Sequence, residues 1–549
     1  MKSVLTATAV AALLAGAPAL AAGKPDAPQP AAAPAAAPAP GAIFQPTAVT
    51  TEGSVTVEGQ RIAYHAVAGT LVVHPKGWDD AVAKAVAAAP DEKAKAEAAA
   101  GNPAAEASMF YVAYFKDGAP SPNRPITFFY NGGPGSSTVW LHMGAFGPRR
   151  VVTADDTHTP PAPYQTVDNA YSLMDATDVV FIDAPGTGFS RIAGKDKEKA
   201  FYGMDADAHA FAAFVTQFLS KYGRYESPKY LFGESYGTPR SAVLVNYLET
   251  ERDLDFNGVI LLSQILNFDL SADYPEANPG TDEAYITSLP TYAATAWYHN
   301  KLPGARPADL TAFLAEVEKF ATTDYALALQ AGSSLDTAHR QAIAEQMARY
   351  TGLPVDYLLK ADLRITQGMF THELLSGEGE VAGRLDTRFA GPAMDVLEKE
   401  AEYDPQSASI SSAYVSDFND YVRKDLKFGE GREYKPEIQV FQYWSTPHQP
   451  PGAPFGIPDI RNVMPDLAYA MKYDPNLKVM VNGGYYDLAT PFYEGWYEMH
   501  HLQIPPALQN NIEYHYYQSG HMVYAHEAAL KELHDNVVAF IRKTDNLNP

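Results

Sequence analysis

Residues 229–249 read KYLFGESYGTPRSAVLVNYLE. The run from Tyr230 to Phe232 has the length and aromatic weight of a buried strand, and the stretch after Gly237 reads as a helix. Between them stands Gly233-Glu234-Ser235-Tyr236-Gly237, the pattern G-x-S-x-G. Small flanking residues permit a strained strand-to-helix turn, which lifts the Ser235 hydroxyl out of the sheet as a nucleophile. Without that setting the five residues would be an ordinary surface turn; the strand before and the helix after point to chemistry.

A serine nucleophile needs a base, and the base needs an orienting acid. With this turn the chain order is serine, acid, histidine. The segment VMVNGGYYDLATP, 479–491, ends a strand and puts Asp487 in the loop beyond it. The segment YHYYQSGHMVY, 514–524, ends another and puts His521 after a glycine. Asp487 lies 252 residues after Ser235, room for an insertion, and 34 before His521, room for one helix and one strand. Asp183, in FIDAPGTGFS, is the competing acid; it precedes the serine and fits the order less well.

Upstream, residues 128–140 read FFYNGGPGSSTVW. Three glycines and a proline leave the strand at once, a costly loop because glycine loses most backbone freedom on folding. A developing oxyanion needs backbone N–H groups about 3 Å away in a dry pocket, and a glycine brings its backbone close without a Cβ. The expected donors are the N–H groups of Gly133 and Tyr236, with Ser136 and Ser137 capping a following helix.

The rhythm around these loops is α/β. ITFFY, DVVFID, KYLFG and GVILLS are short apolar runs, and MDADAHAFAAFVTQFLSKY lies between two of them as an amphipathic helix. That alternation implies a mostly parallel sheet flanked by helices. After about residue 285 the texture turns helical, with Leu310, Phe313, Leu314, Val317 and Phe320 on one helical face. The sheet pattern returns at LKVMVNGGYYD. The chain divides into a signal segment at 1–21, a Pro/Ala linker at 22–45, the first part of the α/β core at 46–285, a mainly helical cap at 286–445 and the second part of the core at 446–549.

Composition narrows the function. The chain has 549 residues, a formal net charge of −24 and no cysteine. The charge disfavours nucleic acid and anionic membranes as partners. The missing cysteine removes disulfides, thiolate nucleophiles and Cys-ligated metal. Lys2, the apolar run after it and Ala19-Leu20-Ala21 read as an export signal, so the expected location is periplasmic or secreted. No later stretch is apolar for long enough to span a membrane. No cofactor is expected: THELLS lacks the second histidine of a zinc motif, and no phosphate-binding glycine loop occurs.

NGGPGSS, NAYSLMDATDVVFIDAPGTGFS, GESYG, GGYYD and SGHMV occur in the order of the serine carboxypeptidase family, which the chain resembles over about 125–265 and 475–530. The resemblance implies the α/β-hydrolase fold, peptide or protein substrates and hydrolysis of C-terminal peptide bonds through Ser235, Asp487 and His521. It also implies that Asn131 and Glu234 hold the substrate's terminal carboxylate. A glutamate beside a carboxylate shares a proton with it, so acid pH should favour binding. Three departures suggest a divergent bacterial branch. Ala145, in GAFGP, stands where the family has a second glutamate, Phe129 where it has tryptophan, and Ser136 where it has cysteine. The alternatives are a serine esterase or acyltransferase on the same fold, favoured by Ala145, and a non-enzymatic exported binding protein.

Overall fold

Three antiparallel strands open the sheet: β1 (Ala48–Val57), β2 (Gln60–Val73) and β3 (Glu106–Lys116). Six more follow as β4 (Ile126–Tyr130), β5 (Asp178–Ile182), β6 (Lys229–Glu234), β7 (Gly258–Leu262), β8 (Lys478–Gly484) and β9 (Ile512–Tyr517). The computed structural model describes residues 43–91, 93–94, 101–119, 121–456 and 461–547. The signal segment expected at 1–21, and the linker up to residue 42, lie outside them.

The strands lie in the order β1-β2-β3-β5-β4-β6-β7-β8-β9, with a short strand Arg191–Ala193 added to β3. From β5 to β9 every neighbouring pair is parallel. This is the α/β-hydrolase fold. The order reverses at β4: the chain passes to β5 on one side and then to β6 on the other. A crevice opens at such a switch point beyond the carboxyl ends of the strands.

The apolar runs are continuous because both faces of the parallel strands are covered. Phe128 and Tyr130 join a core with helices Met204–Tyr222, Gly237–Arg252 and Met464–Tyr473. Phe129, pointing the other way, joins the core formed with Pro405–Lys424 and Glu527–Thr544. Between β7 and β8 a third core gathers helices Glu283–Tyr298, Leu310–Phe320 and Thr337–Thr351, and Leu310, Phe313, Leu314, Val317 and Phe320 form its buried stripe.

The helical segment expected as one cap over 286–445 divides in two. Residues up to Ala382 build that separate third core. Helix Pro405–Lys424 instead lays Ile410, Ala413, Tyr414 and Phe418 on the sheet, so it is a layer of the main fold. Its apolar positions could not reveal which neighbour they would cover.

Far from the crevice, Asp178 starts β5 as a buried clamp. It accepts from Arg124 Nε at 2.8 Å, from Arg224 Nη1 at 2.5 Å and from the Lys116 amide at 3.0 Å. Both guanidiniums also donate to backbone carbonyls, of Met174, Thr177, Arg124 and Pro125. Removing one member of such a group strands the others as uncompensated buried charge. Asp178→Ala should therefore lower unfolding free energy by about 3–5 kcal/mol, read as a fall in the denaturant midpoint, with Asp178→Asn losing less.

Candidate active site

The strand register sets the site. Tyr130 of β4 lies opposite Gly233 of β6, Gly233 opposite Leu261 of β7, Leu261 opposite Val481 of β8 and Val481 opposite Tyr514 of β9. The loops that follow these strands therefore leave along one rim. Asn131, Gly133, Glu234, Ser235, Tyr236 and His521 line one cavity there, of about 280 Å³.

Ser235 sits in the strained turn after β6, with φ 58°. A non-glycine residue in this region costs on the order of 1–3 kcal/mol. The turn is held by the Ser235 amide, which donates to Leu262 O at 3.0 Å, and by the Thr238 amide, which donates to Ser235 O at 2.8 Å. Gly233 is obligatory, since a Cβ there would stand 2.1 Å from Gly237 O. Ser235 is the half-exposed residue in an otherwise buried run.

Asp487 is fully buried, and its Oδ2 lies 2.8 Å from His521 Nδ1. Its other oxygen accepts from the amides of Ala489 at 2.8 Å and Thr490 at 3.0 Å. The Thr490 hydroxyl donates to Oδ2 at 2.8 Å. Burial disfavours the His521 imidazolium; the charge and hydrogen bond of Asp487, with Glu234 nearby, outweigh it and hold the pKa above its usual value. The structure joins acid to histidine and places Ser235 on the same cavity wall, while the Ser235 hydroxyl makes no hydrogen bond among the described residues. Serine–histidine contacts often tighten only with substrate in place.

The competing acid, Asp183, is elsewhere. It accepts from the Thr138 amide at 2.9 Å, the Phe189 amide at 3.4 Å and Tyr434 at 3.4 Å, and burial pushes its pKa up to about 7. It anchors the far end of the glycine loop. The expected capping by Ser136 and Ser137 does not form. Ser136 Oγ accepts from Trp140 Nε1 at 2.8 Å and donates to Ser137 O at 3.2 Å. The helical turn Leu141–Phe146 has no side-chain cap.

The amides of Gly133 and Tyr236 donate to no acceptor among the described residues and border the cavity beside Ser235. The close approach is made by Gly132, where a Cβ would meet Tyr236 N at 2.3 Å. Glu234 and Asn131 meet directly, Asn131 Nδ2 donating to Glu234 Oε2 at 2.8 Å. Burial pushes the Glu234 pKa up to about 7, against the pull of His521, Tyr524 and Asn131. Arg240, wholly buried, donates to Asn131 O at 2.7 Å and pairs with Asp207 at 2.5 Å. At the rim Arg384 pairs with Asp273 at 2.7 Å.

Sequence reading missed Gly132, Thr490, Arg240 and Tyr524. It also missed Asp386, which accepts from the Gly520 amide at 3.1 Å and so holds the loop carrying His521. Tyr524 stood within the quoted 514–524 stretch, but nothing in its spacing marked it. Among the described residues no cluster of three His, Cys, Asp or Glu could hold a metal ion, and no helix is long and apolar enough to cross a membrane.

Residues 92–274, which carry the glycine loop and the turn at Ser235, match the family described as serine carboxypeptidase. Over this segment the chain is similar to the serine carboxypeptidase family. Serine carboxypeptidase S10 family member 1 of Dictyostelium discoideum is 32% identical over 138 residues, 25% of this chain and 30% of that protein. Serine carboxypeptidase-like 50 of Arabidopsis thaliana is 30% identical over 201 residues, 36% of this chain and 40% of that protein. The chain thus spans less than half the length of these relatives. A solved proline iminopeptidase of Mycobacterium smegmatis aligns over 80% of this chain and 96% of its own, with 13% identity and a TM-score of 0.34.

Gly132 yields a direct test. Gly132→Ala should force the glycine loop off the turn at Ser235 and misplace the Gly133 amide. For an oxyanion donor, the role expected of this amide, such a loss costs about 100–1,000-fold in kcat. Steady-state kinetics on an ester substrate should show that fall with KM little changed.

Proposed function

We propose that this chain is a serine-type carboxypeptidase that hydrolyses C-terminal peptide bonds. The observation carrying the reading is the buried Asn131–Glu234 pair at the same cavity as Ser235 and His521. A nucleophile alone would serve any acyl transfer; a buried carboxyl with its amide partner beside it suits a substrate that ends in a carboxylate.

In this mechanism His521 Nε2 takes the proton of Ser235 as Oγ attacks the scissile carbonyl. Asp487 fixes the tautomer at Nδ1 and stabilises the imidazolium. The amides of Gly133 and Tyr236, at the positive end of helix Gly237–Arg252, hold the oxyanion. His521 protonates the leaving amino acid, and water, activated by the same imidazole, releases the acyl group from Ser235. Asn131 and Glu234 fix the terminal carboxylate and so choose which bond is cut. Asp487 and His521 lie beyond the matched segment, so their roles rest on the 2.8 Å contact and the shared rim. The second reading, an esterase or acyltransferase, is favoured by Ala145 alone.

Two peptides of one sequence decide between them, one with a free C-terminal carboxylate and one amidated. The expected result is loss of one residue from the free acid only, abolished in Ser235→Ala, read by mass spectrometry. Ester turnover with neither peptide cut would select the second reading.

The pH dependence follows from Glu234. Its pKa is raised to about 7 by burial, so below that pH it is protonated and donates to the anionic terminus. Above it, two negative charges face each other. KM for the free-acid peptide should climb about tenfold per pH unit above the midpoint, while KM for a blocked ester stays flat over the same range.

A further inference from the structure

The loop that carries His521 brings a second side chain into the site. Tyr524 is 2% exposed, and its hydroxyl lies 3.1 Å from Oε1 and 2.9 Å from Oε2 of Glu234. Asn131 Nδ2 reaches Oε2 at 2.8 Å. The carboxyl is thus fixed by donors from two separate loops, one after β4 and one after β9. The Tyr524 ring is seated as firmly as its hydroxyl: a Cβ at Gly144 would stand 2.7 Å from that ring and 2.6 Å from the ring of Tyr414. The next residue, Ala145, is wholly buried. The segment that would supply a second carboxyl in the family's pattern supplies a methyl group, and a phenol from another loop binds Glu234.

We propose that Tyr524 is the positioning residue of the carboxylate site, its hydroxyl spanning both oxygens of Glu234 and holding the buried carboxyl where it and Asn131 meet the terminal carboxylate of a peptide. The proposal rests on the reading of Asn131 and Glu234 given above.

A phenol and a second carboxyl are different partners. Two adjacent carboxyls share one proton and titrate as a unit. Burial pushes the Tyr524 pKa well above its ordinary value, so it keeps its proton wherever the enzyme works. Glu234 then titrates with a permanent donor beside it, and that donor favours the ionised form. The other titratable groups facing Glu234 are His521 and Asp487, from the loops after β9 and β8, and Tyr414, from helix Pro405–Lys424. Replacing Tyr524 leaves all three in place. Removing its hydroxyl should therefore let Glu234 hold its proton to higher pH, widening the range in which the free-acid peptide binds while loosening the carboxyl's orientation.

The test compares the full chain with Tyr524→Phe, which keeps the ring. KM for a free-acid peptide is measured against pH. The expected result is an alkaline limb of 1/KM moved up by about one pH unit and a several-fold higher KM on the acid side. A side chain that merely fills space would change KM without moving the midpoint. Free-acid preference in the wild type with an unmoved midpoint in Tyr524→Phe overturns this proposal alone. No free-acid preference in the wild type overturns the carboxylate site and the proposal with it. Should Tyr524→Phe not fold, a ring-fluorinated tyrosine at position 524, a stronger donor of nearly the same shape, should move the midpoint down; no movement overturns the proposal.

Discussion

The hydrogen-bonded register of five parallel strands is the constraint on which the site depends. Backbone pairing aligns Tyr130, Gly233, Leu261, Val481 and Tyr514 in a row across the sheet. Asn131, Gly133, Glu234, Ser235, Tyr236, Asp487 and His521 all stand one to seven residues beyond that row. A slip of one residue in β6 or β8 would turn each apolar side chain to the opposite face and displace Ser235 or Asp487 from the rim together. Continuous aromatic and aliphatic runs on both faces make that slip expensive, so packing remote from the cavity guarantees its geometry.

Around this frame three buried arginine–aspartate groups are closely paired. Arg240 with Asp207 stands behind Asn131, Arg388 with Asp386 behind Gly520, and the two arginines on Asp178 sit at the opposite end of the strands. Such pairs add little net stability against apolar replacements. Their use here is directional. The Arg240 guanidinium donates in a fixed fork and reaches the Asn131 carbonyl, which a hydrophobic side chain could not orient.

Ser235, Asp487 and His521 could be singled out in the sequence because each follows an apolar run and so carries its position along the chain; the structure brings Asp487 to His521 and sets Ser235 on the same cavity. Asp487 and Asp183 were ranked only by chain order, and the structure separates them by contact: one touches His521, the other Thr138 and Phe189. What could not be read were side chains whose meaning lies in a neighbour far along the chain. Tyr524 finds Glu234 290 residues away and Asp386 finds Gly520 134 residues away. Ser136 and Ser137 misled for the opposite reason: their local pattern suits a cap, but Trp140 Nε1 takes the Ser136 oxygen first. The length of the cap misled because helix Pro405–Lys424 has the same amphipathic text as the helices before it and differs only in what it covers.

The loop carrying His521 is fastened to the insertion, not only to the sheet. The His521 amide donates to Leu385 O at 2.6 Å and the Gly520 amide to Asp386 Oδ2 at 3.1 Å. A Cβ on Gly520 would stand 2.4 Å from the Asp386 Cβ. The inserted segment is therefore not a detachable accessory. In any chimeric chain the short stretch from Arg384 to Arg388 is part of the chassis and has to travel with the histidine it steadies.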